Sequence, residues 1–318
     1  MYERYYGLRE LPFDLTPNPR YLYLTPKHRE ALSNLHYGLA NRRGVTLLVG
    51  EAGTGKTTLV RALLEREPFR GAAIAYLNNP SLTRAEFVEF MARTFGLSER
   101  AASSKTVMLF ELDALLRERA AQGVITALIV DEAQAMPIDL LEEVRLLANI
   151  ETPTAKLLPV VLAGQPQLAE RLNDPALRQL KQRVALRCDL RPLDFKEVAA
   201  YITGRIRIAG GEASPLFTRE AVELIHRCSR GIPRTISVIC DNALVTGFAA
   251  DKRPIGREIV ESVCQDFDLK PASAERPVAE RRTVPKRDVA PEPSTRQQAA
   301  ASDGMFAVFG RRRRFSFF

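Results

Sequence analysis

Long apolar runs are missing from this sequence. The longest, at residues 45–49 and 157–163, contain five to seven residues, whereas a helix that crosses a bilayer needs roughly 18 to 20. Residues 1–6 also lack the apolar segment of a secretory signal. These absences argue against a membrane-spanning or secreted protein and predict a cytoplasmic one.

Cysteine and histidine are scarce and scattered. The sequence has four cysteines and three histidines, with no Cys-x-x-Cys pair and most of the cysteines far from any histidine. Zinc sites and disulfide frameworks need such residues at short, regular spacing, so we expect neither and predict free thiols. The residues concerned are Cys188, Cys228, Cys240, Cys264, His28, His36 and His226.

Positive charge is in excess but unevenly placed. The 318 residues carry a formal net charge of +8, and residues 271–318 hold ten Arg and Lys against five Asp and Glu. The first 270 residues are therefore nearly neutral, at +3. With 46% hydrophobic and 26% charged residues, the chain has an ordinary globular composition and the length for a large domain and a smaller one.

Short β-branched runs alternate with longer helical patterns between residues 44 and 192. Near-continuous apolar character is typical of strands buried on both faces of a parallel sheet. We therefore predict an α/β domain with a five-stranded parallel sheet and helices on both faces. The predicted strands are residues 45–49, 72–77, 124–130, 157–163 and 185–190.

The segments on either side of this domain have different patterns. Residues 1–43 combine a Pro- and aromatic-rich arm with a helix from about residue 26. Residues 193–268 show four helical patterns and no strand, which predicts a small all-helical lid domain. Residues 269–318 contain few large apolar residues among Pro, Ala and Arg, which predicts disorder.

A glycine-rich loop follows the first predicted strand. Residues 50–57 read GEAGTGKT, which matches G-x-x-x-x-G-K-[ST] between a strand and a helix. Such a loop points backbone N–H groups at phosphate oxygens, while Lys56 contacts the outer phosphates and the Thr57 hydroxyl binds Mg²⁺. We expect nucleotide contacts from Gly50, Glu51, Ala52, Gly53, Thr54, Gly55, Lys56, Thr57 and Thr58.

Two acidic residues end the third predicted strand. Residues 127–132 read ALIVDE, which places Asp131 to hold Mg²⁺ together with Thr57. Glu132 is placed to orient or deprotonate an attacking water. The loop and the acidic strand together predict ATP binding with Mg²⁺ and ATP hydrolysis.

Two glutamines are weaker candidates for the same site. Gln165 follows the fourth predicted strand, where its side chain would reach the γ-phosphate or the water, although a loop residue with no such role is the alternative. Gln134 completes the string Asp-Glu-Ala-Gln and has no assigned role.

Further segments carry a more specific signature than the glycine-rich loop. With them the chain resembles the ExeA/GspA-type AAA+ ATPases, a P-loop NTPase family associated with bacterial secretion and surface-structure assembly. The likeness extends over about residues 1–268. The matching segments are residues 1–8, 12–13, 16–19, 21–23, 28–38, 131–134, 162–168 and 182–183.

The resemblance implies roles that spacing alone does not show. Gln165 falls on the sensor-1 position, and Arg234 in the string Gly-Ile-Pro-Arg resembles the sensor-2 arginine of the lid. Arg183, with Arg178 as a second candidate, falls where such proteins carry a finger arginine that reaches a neighbouring subunit's ATP. A surface salt bridge is the alternative for both. A finger implies a homo-oligomer with subunit-shared sites.

The arm has two interpretations within the same resemblance. Tyr6, Leu8 and Phe13 would line the adenine, or they would simply pack against the rest of the protein. The choice between these interpretations stays open on the sequence.

The chain also departs from the family pattern. The longer secretion ATPases continue into a transmembrane helix and a peptidoglycan-binding region, and this sequence shows neither. The resemblance therefore implies a role in assembling a secretion, pilus or exopolysaccharide export system, through a partner that the sequence does not name. The expected location is cytoplasmic or peripheral at the inner membrane.

The end of the chain and the overall function leave alternatives open. Arg311–Arg314, flanked by phenylalanines, would contact an anionic membrane surface, a nucleic acid or nothing.

A DNA-binding ATPase of the transposition-regulator type is the alternative function for the whole chain, which the nearly neutral body argues against. A helicase is excluded, because the lid leaves no room for a second motor domain.

Overall fold

The computed structural model describes residues 1–16, 18–78, 80–211 and 216–270. They belong to one compact unit. The predictions for the tail from residue 271 onward, including Arg311–Arg314, lie outside the described residues. No helix of the described part is both long and apolar enough to cross a membrane.

The elements follow the order that the sequence predicts. The strands are β1 (Val45–Gly50), β2 (Ala73–Leu77), β3 (Thr126–Val130), β4 (Val160–Gly164) and β5 (Val184–Leu190). The α-helices are α1 (Glu3–Tyr6), α2 (Pro26–Ala40), α3 (Lys56–Leu64), α4 (Arg84–Phe95), α5 (Glu99–Ser103), α6 (Lys105–Ala121), α7 (Ile138–Leu147), α8 (Pro166–Arg171), α9 (Arg178–Arg183), α10 (Phe195–Ile208), α11 (Arg219–Ser229), α12 (Pro233–Ala249) and α13 (Arg257–Asp266).

The five strands form one parallel sheet in the order β2-β3-β4-β1-β5. The three central strands β1, β3 and β4 are buried at every residue, because helices cover both faces. The predicted fold class is therefore confirmed. The fourth strand begins at Val160 rather than at residue 157, and Pro159, which has no N–H to donate to a sheet, precedes it.

Two separate cores lie on the two faces of the sheet. Alternating residues of β1 show the division, with Val45, Leu47 and Val49 on one face and Leu48 on the other. Helices α4, α6, α7, α8 and α9 cover the first face, and helices α2 and α3 cover the second. The glycine-rich loop, which follows β1, is thereby held at the carboxyl ends of strands that are packed on both faces.

A third core unites the helical lid with the start of the chain. Tyr6, Leu8 and Phe13 of the arm, which we define as residues 1–25, are buried among the helices α10, α11, α12 and α13. The Tyr2 hydroxyl also donates to Asp241 of α12. The interpretation of Tyr6, Leu8 and Phe13 as packing residues is therefore confirmed, and none of the three lines the cavity described below. Their large apolar surfaces are removed from water inside the lid.

Local sequence signals fix where the helices begin. Thr83 and Asp194 each accept a hydrogen bond from the third residue of α4 and α10, while the glutamates at those positions bond back to the cap. Such capping boxes satisfy N–H groups that a helix leaves without partners. Pro233 begins α12, where its missing N–H costs nothing.

Candidate functional site

A central cavity of about 360 Å³ lies at the carboxyl edge of the sheet, between the sheet, the arm and the lid. One side, the sheet wall, consists of residues 53–58 and Glu132. The other, the arm–lid wall, is formed by arm residues between Asp14 and Tyr23 and by Leu193, Tyr201, Arg205, Pro233, Arg234 and Ser237. The cavity therefore brings the glycine-rich loop together with two parts of the chain that are distant in sequence.

The glycine-rich loop has the backbone that its sequence predicts. Gly53 and Gly55 have φ values of +81° and +95°, a region that favours glycine. Lys56 begins α3, so the loop leads directly into the positive end of a helix dipole. Of the nine predicted contact residues, Gly53–Thr58 line the cavity. Gly50, Glu51 and Ala52 form the turn that leads into it.

Lys56 is folded back onto its own loop. Its Nζ donates to the carbonyl oxygens of Gly50 at 2.8 Å and Glu51 at 3.1 Å, and the residue is 4% exposed. Burial lowers the pKa of the Lys56 ammonium from its ordinary value, and the nearby carboxylates act in the opposite direction. A buried ammonium with only neutral acceptors at hydrogen-bond distance can exchange them for an anion.

Asp131 connects the acidic strand with the loop. Its carboxylate accepts a hydrogen bond from the Thr57 hydroxyl at 2.6 Å and one from the Tyr76 hydroxyl at 3.1 Å. Thr57 and Asp131 are thus brought together as the sequence predicts. Tyr76 of β2 was missed by sequence reasoning, although it is the only aromatic residue in β2. Burial, and to a smaller extent the negative charge of Asp131, raises the pKa of the Tyr76 hydroxyl. The hydroxyl therefore keeps its proton and donates it to the hydrogen bond.

Glu132 reaches the cavity through an unusual backbone. Its φ is +51°, a left-handed conformation that is uncommon for residues other than glycine, and its N–H donates to the Asp131 carboxylate at 3.0 Å. The Glu132 carboxylate accepts from the side-chain amides of Gln134 at 2.6 Å and Gln165 at 3.4 Å. Both glutamines therefore hold the same carboxylate.

Gln134 also fastens the neighbouring strand end. Its side-chain oxygen accepts from the backbone N–H of Gln165 at 3.0 Å. Arg171 of α8 donates to the carbonyl oxygens of Gln134 and Met136, the latter at 2.8 Å. Gln165 does not line the cavity itself and lies behind Glu132. The glutamine network therefore acts on the cavity through one carboxylate.

His28 of α2 links the arm side of the molecule to the loop. Its Nε2 donates to the carbonyl oxygen of Thr54 at 3.2 Å, and its Nδ1 accepts from the Thr25 hydroxyl at 2.8 Å. This assignment follows because a carbonyl can only accept. Burial lowers the pKa of His28, so the ring is neutral near pH 7. The sequence offered the histidine only as part of a family signature.

The three predicted arginines occupy two regions. Arg234 lies in the cavity wall, and its backbone N–H donates to the carbonyl of Gly53 at 3.2 Å. Arg178 and Arg183 are exposed on α9, which leads into the amino end of β5. Val184, which follows Arg183, pairs with Val45, five residues before the loop, so about 17 Å of strand separates them. An arginine side chain cannot cross this distance, and Arg183 does not belong to the cavity of its own chain.

Comparisons with known proteins agree with this geometry. Residues 40–172 match the family model described as AAA domain. The general secretion pathway protein A of Aeromonas hydrophila is 46% identical over 258 residues, which are 80% of this chain and 46% of that protein. This chain is an AAA-domain protein related to general secretion pathway protein A. The resemblance drawn from the sequence is thereby confirmed, and the chain spans less than half the length of that relative.

Solved structures of AAA-type proteins have the same fold. The Aeropyrum pernix ORC2 protein in its ADPNP–ADP complexes has a TM-score of 0.59 at 18% identity, covering 80% of this chain and 71% of the other. Cdc6p from Pyrobaculum aerophilum also scores 0.59 at 18% identity, with 80% and 70% covered. At this identity the likeness establishes the AAA P-loop fold alone.

Proposed function

We propose that this AAA-domain protein binds ATP with Mg²⁺ in the central cavity and hydrolyses it. The observation that carries the proposal is the 2.6 Å contact between Thr57 at the start of α3 and Asp131 at the end of β3. A hydroxyl and a carboxylate oxygen at this spacing are ligands that Mg²⁺ accepts. Bound there, the ion would neutralise charge on the phosphates.

The side chains around the phosphates have separable tasks. Gly53–Thr58 would surround the phosphates with N–H groups, and Lys56 would exchange the carbonyls of Gly50 and Glu51 for phosphate oxygens. Glu132, held by Gln134 and Gln165, would orient or deprotonate the attacking water. Arg234, whose backbone bonds to Gly53, would bring the lid into contact with the phosphates.

The position of Arg183 supports a site completed by a neighbouring subunit. Arg183 is exposed and lies at the amino end of the strands, whereas its own loop lies at their carboxyl end. In this position it is accessible to a second copy of the chain. A guanidinium is permanently charged and forked, which suits contact with a γ-phosphate across an interface. We therefore propose a homo-oligomer with shared ATP sites, in which Arg183 rather than Arg178 acts as the finger.

The relationship to general secretion pathway protein A supports a proposal for the biological setting. We propose that ATP turnover drives a conformational change that assists assembly of a secretion or export machinery. The partner is a component of that machinery. Peripheral contact with the inner membrane through Arg311–Arg314 and the DNA-binding alternative both stay predictions.

ATPase rate against protein concentration tests the proposal. The wild type should show a specific activity that rises with concentration, and Glu132→Gln should lower kcat about 100-fold or more while ATP still binds. Arg183→Ala should lower activity to a similar extent at every concentration. Gln182→Ala, on the same exposed helix, is the matched control.

The outcomes separate the parts of the proposal. Normal hydrolysis by Arg183→Ala at high concentration would rule out the shared site, and a loss confined to Arg178→Ala would move the finger. Normal hydrolysis by Glu132→Gln would contradict the assignment of Glu132. A salt-dependent DNA shift that persists without residues 271–318 would favour the DNA-binding alternative.

A further inference from the structure

Arg205 of α10 is a buried cation whose hydrogen-bond partners are all neutral. It is 8% exposed, and its Nη1 donates to the Tyr201 hydroxyl at 2.7 Å and the Ser237 hydroxyl at 2.8 Å. Its Nη2 donates to the carbonyl oxygen of Asp14 at 3.3 Å. No ion pair found among the described residues includes Arg205. Buried charges normally have an ionic partner, so this environment is unusual.

One donor of the same guanidinium is unpaired among the residues that the structure describes. Arg205 Nε is buried and makes no hydrogen bond within the described part of the chain. Buried N–H groups are almost always paired, and an exception calls for an explanation such as a ligand. Arg205 also lines the central cavity, so a ligand bound there would lie beside the same guanidinium.

The surroundings indicate which part of a ligand lies there. The Arg205 guanidinium carbon is 4.9 Å from the ring centre of Tyr21 in the arm and 5.3 Å from that of Tyr201 in the lid. Leu15 and Leu193 also line the cavity and add apolar surface to it. A nucleotide is anionic at one end and flat and aromatic at the other, and the sheet wall already matches the anionic end.

We propose that Arg205 is a specificity-determining residue that donates through Nε–H to a ring nitrogen of the purine base of the bound nucleotide. The ring nitrogens of a purine that lack a proton are acceptors, which a guanidinium can only complement as donor. The inference rests on the nucleotide-binding part of the proposed function and does not require hydrolysis. Since Arg205 already touches Asp14 and Ser237, a bound base would join the arm and the lid through one side chain.

Purine analogues test the inference on the unmodified protein. The dissociation constants of ATP and of its 1-deaza, 3-deaza and 7-deaza analogues are measured by calorimetry, each analogue lacking one ring acceptor. We expect one analogue to bind about tenfold more weakly, the value of one hydrogen bond to a charged group. Equal affinity for all three analogues and ATP would overturn the inference.

A substitution assigns the lost bond to Arg205. In Arg205→Met the discrimination against that analogue should disappear, and ATP itself should bind about tenfold more weakly than to the wild type. Discrimination that persists in the variant would overturn the inference. Arg207→Met, an exposed arginine on the same helix, is the matched control and should bind all four nucleotides as the wild type does.

Inorganic tripolyphosphate separates the base from the phosphates and checks that the variant is folded. Arg205→Met should bind tripolyphosphate with the affinity of the wild type. A loss equal to that for ATP would mean that Arg205 serves the phosphates, contrary to the inference. The two proposals fail separately, because a wild type that binds ATP without hydrolysing it contradicts only the proposed function.

Discussion

The sheet wall and the arm–lid wall of the central cavity differ in how their polar groups are satisfied. Along the sheet wall, the polar side chains of Lys56, Thr57 and Glu132 each have a hydrogen-bond partner within the protein. The arm–lid wall instead buries Arg205 with an open donor. A wall that is already satisfied must exchange partners when a ligand binds, whereas an open donor gains one. We therefore expect the sheet wall to carry the chemistry, and the arm–lid wall to recognise the nucleotide through Arg205 and Arg234.

The largest effect is expected at Lys56, whose substitution tests most directly whether the sheet wall provides most of the binding. Lys56→Met should weaken ATP binding about 100-fold or more, because it removes the only ammonium that faces the phosphates from the described part of the sheet wall. Calorimetric titration measures the change. Lys27→Met, an exposed lysine paired with Glu30, should be silent. An affinity within threefold of the wild type would show that the arm–lid wall provides most of the binding.

A smaller effect is expected at Gln134, which acts only through Glu132 and Gln165. Gln134→Ala should lower kcat about tenfold with KM nearly unchanged, because the carboxylate loses its 2.6 Å hydrogen bond while the ligand contacts remain. Steady-state kinetics separate the two constants. Gln122→Ala, an exposed glutamine bonded to Glu118, is the control. A rise in KM alone would place Gln134 in binding rather than in positioning.

Tyr76 sharpens the comparison within the sheet wall. Tyr76→Phe removes one hydrogen bond to Asp131 and keeps the ring. We expect the Mg²⁺ concentration for half-maximal activity to rise about fivefold, which corresponds to about 1 kcal/mol for one hydrogen bond. Tyr37→Phe, on an exposed face of α2, should leave the Mg²⁺ dependence unchanged. An unchanged dependence in Tyr76→Phe would limit this tyrosine to packing.

The smallest effect concerns His28, which connects α2 with the sheet wall. Because burial lowers the pKa of His28 in the folded protein, the unfolded chain binds the proton more readily. This contribution to stability is complete above the ordinary histidine pKa of about 6.5 and is lost as the pH falls below it. Thermal unfolding between pH 7.5 and pH 5 should therefore show less acid destabilisation in His28→Gln than in the wild type.

The exposed His36 on the same helix is the matched control for this measurement. His36→Gln should retain the acid destabilisation of the wild type. If His28→Gln and the wild type lose the same stability at acid pH, protonation of His28 does not contribute to acid destabilisation. That result would leave the hydrogen bond between His28 and Thr54 untested.

The sheet wall was largely predictable from the sequence, and the arm–lid wall was not. The glycine-rich loop follows one buried strand, and Asp131 and Glu132 follow another. Because the carboxyl ends of parallel strands lie side by side, the sequence predicts that these residues come together there. Arg205 lies in no motif and Tyr21 only in the family signature, and their meeting depends on how the arm packs on the lid. The short helices α5, α8 and α9 were also missed, because five or six residues are too few to show a helical period.

The route of the arm constrains how the lid can move. Tyr2, Tyr6, Leu8 and Phe13 pack in the lid core, and the chain then crosses to α2 on the sheet. After β5 it returns to the lid through residues 191–194. The two bodies are therefore joined by two covalent connectors, as a door is by two hinges. Any movement of the lid away from the sheet must therefore bend both connectors, residues 14–25 and 191–194, at once.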